Sequence, residues 1–153
     1  MPLSWNEIKD RALHFSREWS EETSERAEAK TFWDGFFQIF GISRKRVATF
    51  ETKVKKRDGQ DGYIDLLWKG IVLIEHKSRG KSLDRAYAQA TDDFPGLKDR
   101  DLPRYILVSD FARFRLYDLV EGTQTEFRLE DLYQKVRLFG FIAGYQTTAV
   151  QEQ

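Results

Sequence analysis

Apolar residues recur at helical spacing over the first forty positions. Trp5, Ile8, Leu13, Phe15 and Trp19 form a loose stripe, and Ser4 followed by Glu7 has the spacing of a capping box, so residues 5 to 20 are predicted to be helical. Phe32, Phe36 and Phe40, joined by Trp33 and Phe37, mark a second helix from about Glu25 to Phe40, which Gly41 is placed to end. From Val47 the rhythm changes to short runs of β-branched and aromatic residues with turn signals between them. Strands are expected near 46 to 55, 62 to 68 and 71 to 77, separated by the turns RDGQDG and WKG. Ser82 is placed to cap a helix from Leu83 to Phe94, closed by Pro95 and Gly96. Tyr105 to Ser109 and Arg113 to Leu119 read as two more strands, and Glu130 to about Ala143 as a final helix. This order predicts an α/β fold, a mixed central sheet flanked by helices, with a right-handed crossover between the third and fourth strands.

Composition narrows the functions open to such a fold. The chain has 153 residues, 41% hydrophobic and 33% charged, which suits a single domain with a real core. It contains no run approaching the roughly 18 apolar residues of a membrane helix, and no signal-peptide pattern at the N-terminus, so a cytoplasmic location and no membrane partner are expected. With no cysteine and two histidines, a metal here must be held mainly by carboxylate oxygen. The 25 basic and 25 acidic residues cancel, yet they are unevenly spread. Arg44 to Arg57 holds seven basic residues and one acid, Glu51, a segment suited either to a phosphate backbone or to a solvated strand edge. Asp92 and Asp93 read as solvent-facing charges near a helix end. Phe111 and Phe114 read as core edge beside a turn.

The chemistry concentrates in GYIDLLWKGIVLIEHKSRG, residues 62 to 80. Asp65 interrupts one apolar strand, and Glu75 and Lys77 end another. An unpaired carboxylate on a buried strand costs several kcal/mol, and a bound divalent cation relieves that cost. Strand alternation directs Glu75 and Lys77 to the face of Ile71 and Leu73, and His76 to the other. A two-residue loop at Lys69–Gly70 would put Asp65 on the opposite side from Glu75. A three-residue loop, Trp68 to Gly70 with Gly70 left-handed, pairs Leu67 with Ile71 and makes Asp65 the diagonal same-face neighbour of Glu75. Two hard oxygen ligands with open positions suit Mg²⁺ or Mn²⁺, and a lysine beside them suits phosphodiester hydrolysis. Glu28 extends the buried stripe of the second helix toward such a site, or else occupies the favourable first helical turn. Gln89, on the helix after Lys77, is positioned to orient Lys77 or a phosphate, or else lies on a solvated face. Arg79 and Lys81, and more distantly Lys53, Lys55, Lys56 and Arg57, are candidates for contacts to a phosphate backbone.

A helix with Glu, then Asp, nine residues, Glu-x-Lys, and a helix with Gln resembles the PD-(D/E)XK nuclease superfamily. Ile64 stands where its motif has proline. More closely, EAKTFWDGFFQIFGI, GYIDLLWKGIVLIEHKSRGKSLDRAYAQA and LYQKVRLFGFIAGYQ are similar to the N-terminal nuclease domain of MmeI-like type IIL restriction-modification enzymes. The resemblance implies a restriction-endonuclease-like core that cleaves double-stranded DNA. It also implies that Asp65, Glu75 and the main-chain carbonyl of His76 hold Mg²⁺, with Lys77 acting on the attacking water and Glu28 and Gln89 as auxiliary residues. Relatives continue into a connector, an adenine methyltransferase that uses S-adenosylmethionine, and a target-recognition domain. Residues 1–153 are therefore expected to be one nuclease domain, the N-terminal fragment of a longer protein. Two other functions compete: a non-catalytic DNA-docking module of a methyltransferase, and a stand-alone repair or recombination nuclease.

Overall fold

The computed structural model describes residues 3–21 and 25–144. Helices α1 (Trp5–Glu18) and α2 (Glu25–Ile39) come first, then one helical turn, α3 (Arg44–Val47). Strands β1 (Thr49–Lys55), β2 (Asp61–Trp68) and β3 (Val72–His76) follow, then helix α4 (Leu83–Asp92), strands β4 (Tyr105–Ser109), β5 (Arg113–Asp118) and β6 (Thr123–Arg128), and the short helices α5 (Leu132–Lys135) and α6 (Gly140–Ala143). The six strands lie in chain order in one sheet. Only β3 and β4 are parallel, joined across α4; the other neighbours are antiparallel.

The capping box of α1 is formed: Glu7 N donates to Ser4 Oγ at 3.1 Å and Ser4 N to Glu7 Oε1 at 3.2 Å. Buried Ile8, Ala12 and Phe15 of α1, with Trp19 just past its end, meet the aromatic face of α2 over one side of the sheet, joined by Leu132, Val136, Phe139 and Ile142. Leu83, Ala86 and Ala90 of α4 cover the other side above Ile64, Leu73, Ile106 and Val108. The sheet is thus the middle layer of three, and side chains at the ends of β2 and β3 sit between two packed faces.

Several expectations are corrected. Residues 44–47 are helical, so β1 begins at Thr49. A sixth strand, β6, was not expected: TQTEFR is a polar edge strand that buries Phe127 alone. The final helix is broken into alternating 3-10 and α turns, because Leu129, Leu132, Val136, Phe139 and Ile142 are all buried and mostly three residues apart, the repeat of a 3-10 helix. Phe111 and Phe114 lie in the centre of the core and are fully buried. Tyr145 and Gln146, at the end of the third quoted block, lie outside the described residues.

Candidate functional site

The turn between β2 and β3 has three residues with Gly70 at φ 77°, but it spans Lys69 to Ile71 rather than Trp68 to Gly70. Trp68 pairs with Val72, and the ladder runs through Leu67↔Leu73 to Leu66↔Ile74, not Leu67↔Ile71. Ile71, now in the turn, packs on the α2 side instead of sharing the face of Leu73. Extending the register by one residue sets Asp65 opposite Glu75. There the Asp65 carboxylate accepts a hydrogen bond from His76 N at 2.7 Å and contacts the Glu75 carboxyl.

Glu75 is 1% exposed, and among the described residues its Oε1 has no hydrogen-bond partner. Burial, then the charge and hydrogen bond of Asp65, then Asp93, push the Glu75 carboxyl up to about 10, against the opposing pull of Lys77. Two touching carboxylates in a dry pocket cannot both stay charged without a proton or a cation between them. An orphaned acceptor beside a second carboxylate is the donor set that a hard divalent ion takes, with its remaining positions left to water and substrate. Asp65 and Glu75 could therefore hold a hard divalent cation. Among the described residues no group of three or more acids or histidines is placed to hold one metal ion.

Lys77 and Gln89 come together as a pair, Lys77 Nζ donating to Gln89 Oε1 at 2.5 Å. They line a cleft of about 410 Å³ with Lys81, Ser82 and Arg85. Asp65 also borders a separate cleft of about 200 Å³ on the α2 side, with Lys30, Trp33, Phe50, Glu51 and His76. Glu28 is not brought to either: it lines a depression with Arg17, Trp19 and Glu21 at the end of α1.

The His76 ring faces away from Glu75. Its Nδ1 accepts from Trp33 Nε1 at 3.0 Å, which leaves the hydrogen on Nε2, and the ring of Phe111 lies 4.2 Å away, centroid to centroid. Burial lowers the imidazole to about 3, so it stays neutral and serves as a packed anchor for β3. Of the other basic candidates, Arg79 donates to Ser20 O at 3.2 Å, Lys55 is bonded to Asp61 at 2.6 Å, and Lys56 lies beside Asp93.

Asp93 corrects the expectation of a solvent-facing charge. It is 0% exposed, and among the described residues neither carboxylate oxygen has a hydrogen-bond partner. The turn Phe94–Gly96 folds it under, since Gly96 lies so close to β1 that an added Cβ would be 2.5 Å from Lys55 O. Gly62 of β2 leaves the room, its position for a Cβ falling 2.9 Å from Asp93 Oδ1. Burial raises the Asp93 carboxyl despite Lys56, with Asp92 and Asp65 adding to the effect. Sequence offered no sign of this beyond the Pro-Gly turn that follows.

The layers define an α/β fold, a six-stranded mixed sheet flanked by helices. The model of the MmeI N-terminal domain family matches residues 10–153, and the chain belongs to that family. Its fold is similar to part of a chain in the cryoEM structure of a DrdV–DNA complex, with TM-score 0.55 and 14% identity over 92% of this chain. The match covers 14% of that longer chain. No curated protein matches the sequence. Among the described residues, no helix is long and apolar enough to cross a membrane.

Proposed function

We propose that this domain hydrolyses DNA phosphodiester bonds with Mg²⁺ as cofactor, Mn²⁺ substituting, as the cleavage module of a combined restriction-methylation enzyme. The observation that carries the reading is the contact of Asp65 with a buried, half-unpartnered Glu75, with Lys77 reaching toward Glu75 by charge and held by Gln89. Membership of the MmeI N-terminal domain family and a fold shared with a protein in complex with DNA support DNA as the substrate.

Asp65 and Glu75 would hold the ion, with the His76 main-chain carbonyl added by resemblance. The ion supplies charge neutralisation at the phosphoryl oxygens and acidifies water. Lys77, an ammonium fixed by Gln89, orients the attacking water and stabilises negative charge developing on the phosphoryl group. The water oxygen bonds to phosphorus and gives up a proton to solvent, one bridging P–O bond breaks, and the departing oxygen takes up a proton from solvent water. His76 takes no proton, because both ring nitrogens are buried in the opposite layer. Target recognition and S-adenosylmethionine-dependent methylation belong, in this reading, to other parts of a longer protein.

Plasmid nicking with Mg²⁺, with Mn²⁺ and with EDTA tests the proposal. Wild type should nick in either metal, and Asp65→Ala and Lys77→Ala should lose activity while keeping the wild-type circular dichroism spectrum. Equal nicking by all three proteins, or nicking in EDTA, would refute it.

A further inference from the structure

The cleft beside Lys77 contains more than the reaction needs. Its walls bring Lys77, Lys81 and Arg85 around Ser82 and Gln89, with no carboxylate among them. The nearby acids are committed elsewhere. Asp84, next to Arg85 in sequence, is bonded to Arg115 Nη1 at 2.6 Å, and Asp110 to Arg113. Among the described residues neither Lys81 nor Arg85 has an ion-pair partner, although both are exposed.

The loop that carries Lys81 is also held in place. Buried Asp110 accepts from Gly80 N at 2.9 Å and from Arg113 N at 2.8 Å, while Arg113 Nη2 donates to Lys81 O at 2.8 Å. Lys77 N donates to Ser109 O at 2.8 Å. Arg79, the other loop cation, is turned toward α1 through Ser20 O. Arg85 lies four residues before Gln89 and so on the same face of α4, displaced about 6 Å toward the helix start. That displacement is of the order of the step between neighbouring phosphates of one strand. The helix start is also where backbone N–H groups favour an anion.

We infer that Lys81 and Arg85 form a clamp for the DNA phosphate adjacent to the scissile one, fixing the strand so that the scissile phosphate reaches Lys77. Arg85 thereby acts as a substrate-binding residue that no comparison assigns. The inference rests on the proposed nuclease reading for its substrate, but not on turnover. Lys81 supplies a point charge and Arg85 a planar fork of donors, a combination suited to a phosphodiester.

The test is binding of a 12-base-pair duplex in Ca²⁺, followed by ¹H–¹⁵N correlation spectra at millimolar DNA and by fluorescence anisotropy between 50 and 200 mM salt. The amides of Lys81, Ser82, Arg85 and Gln89 should shift. The Lys81→Ala/Arg85→Ala double variant should bind roughly tenfold more weakly. Its slope of log affinity against log salt should be smaller by about 0.9, the loss of one phosphate contact. Arg85→Lys should retain most of the salt slope but bind less tightly than wild type. Inorganic phosphate that produced the same shifts and competed with the duplex at equal concentration would show a free-anion site and overturn the DNA assignment. Shifts that spare α4, or none at millimolar duplex, would also overturn it. The wild-type protein separates the two readings: duplex binding through Lys81 and Arg85 in a wild type that never nicks with Mg²⁺ would defeat the nuclease reading alone, and nicking with unshifted Lys81 and Arg85 amides would defeat the clamp alone.

Discussion

Replacing Glu75 by Gln keeps the shape of the side chain and removes its charge, which isolates the cost of the buried carboxylate. The folded carboxyl sits at about 10, against an ordinary value of 4.5. Above pH 4.5 the unfolded chain releases this proton and the folded protein keeps it, so the folded state binds more protons and its stability falls as pH rises. The slope is about 1.4 kcal/mol per pH unit, continuing until the folded group itself ionises near 10. At pH 7 the accumulated cost is about 3 kcal/mol, an upper bound because the pocket relaxes around the charge. Glu75→Gln should therefore melt about 6 to 12 °C above wild type at pH 7 in EDTA. The gap should shrink toward zero at pH 5 and widen at pH 8. Urea unfolding at these three pH values, with and without Mg²⁺, is the assay. Saturating Mg²⁺ supplies the missing counter-charge, so it should stabilise wild type by about 2.7 kcal/mol at a hundred times its dissociation constant and the variant by much less. A stability difference independent of pH, or a variant less stable than wild type at pH 8 without metal, would refute the reasoning.

Asp93→Asn should likewise raise the melting temperature in EDTA, more at pH 7 than at pH 3, because burial raises this carboxyl above its ordinary 3.8 and the cost is absent below that value; an unchanged or lower melting temperature at pH 7 would contradict a buried carboxyl with no hydrogen-bond partner among the described residues. The His76 ring, lowered from 6.5 to about 3, should show flat NMR ring-proton shifts from pH 8 to pH 4. The unfolded chain takes up this proton as pH falls through 6.5 while the folded one does not, so His76 weakens the fold at acid pH, and a His76 titration midpoint above 5 would refute its packing against Trp33. Gly96→Ala places a methyl 2.5 Å from Lys55 O and 2.7 Å from Lys55 N, both backbone atoms that cannot turn aside. A loss of about 1 to 3 kcal/mol in urea unfolding is expected, and a neutral effect would mean that the turn burying Asp93 is not rigid.

Most of the fold was legible because its elements carry strong local signals. The aromatic stripe of α2 reappears residue for residue in the core, and the capping box of α1 forms as spaced. What escaped reading lacks such a signal. Strand β6 is polar on its open edge and owes its place to pairing with β5, from Phe114↔Phe127 to Asp118↔Thr123, which no local pattern encodes. The closing segment has apolar residues that satisfy both helical periods, and tertiary packing selects the tighter one. Asp93 was misjudged for the same reason: its burial depends on Gly62 and on the backbone of Lys55, both more than thirty residues away in sequence.

The site itself shows why a pattern of alternation both succeeded and fell short. The turn begins one residue later than its sequence suggests, but the partner of Leu67 moves by two, from Ile71 to Leu73, so the parity that brings Asp65 toward Glu75 survives. Strict alternation would then assign Ile64 and Leu66 to one face. Instead Ile64 packs under α4 and Leu66 under α2, and on β1 Val54 and Phe50 divide in the same way. The exchange of faces occurs between Thr52↔Ile64 and Phe50↔Leu66, where Glu51 adopts φ 55°, a left-handed conformation that costs a non-glycine residue roughly 1 to 2 kcal/mol. Asp65 is the residue opposite Glu51 at this switch. It therefore belongs fully to neither layer: its carboxylate borders the α2-side cleft, accepts from the backbone of His76 and still contacts Glu75 on the α4 side. A regular strand would commit Asp65 to a single face. The twist lets it reach both while its neighbours stay packed, and only tertiary structure reveals that the local strain lies opposite the carboxylate the proposed chemistry requires.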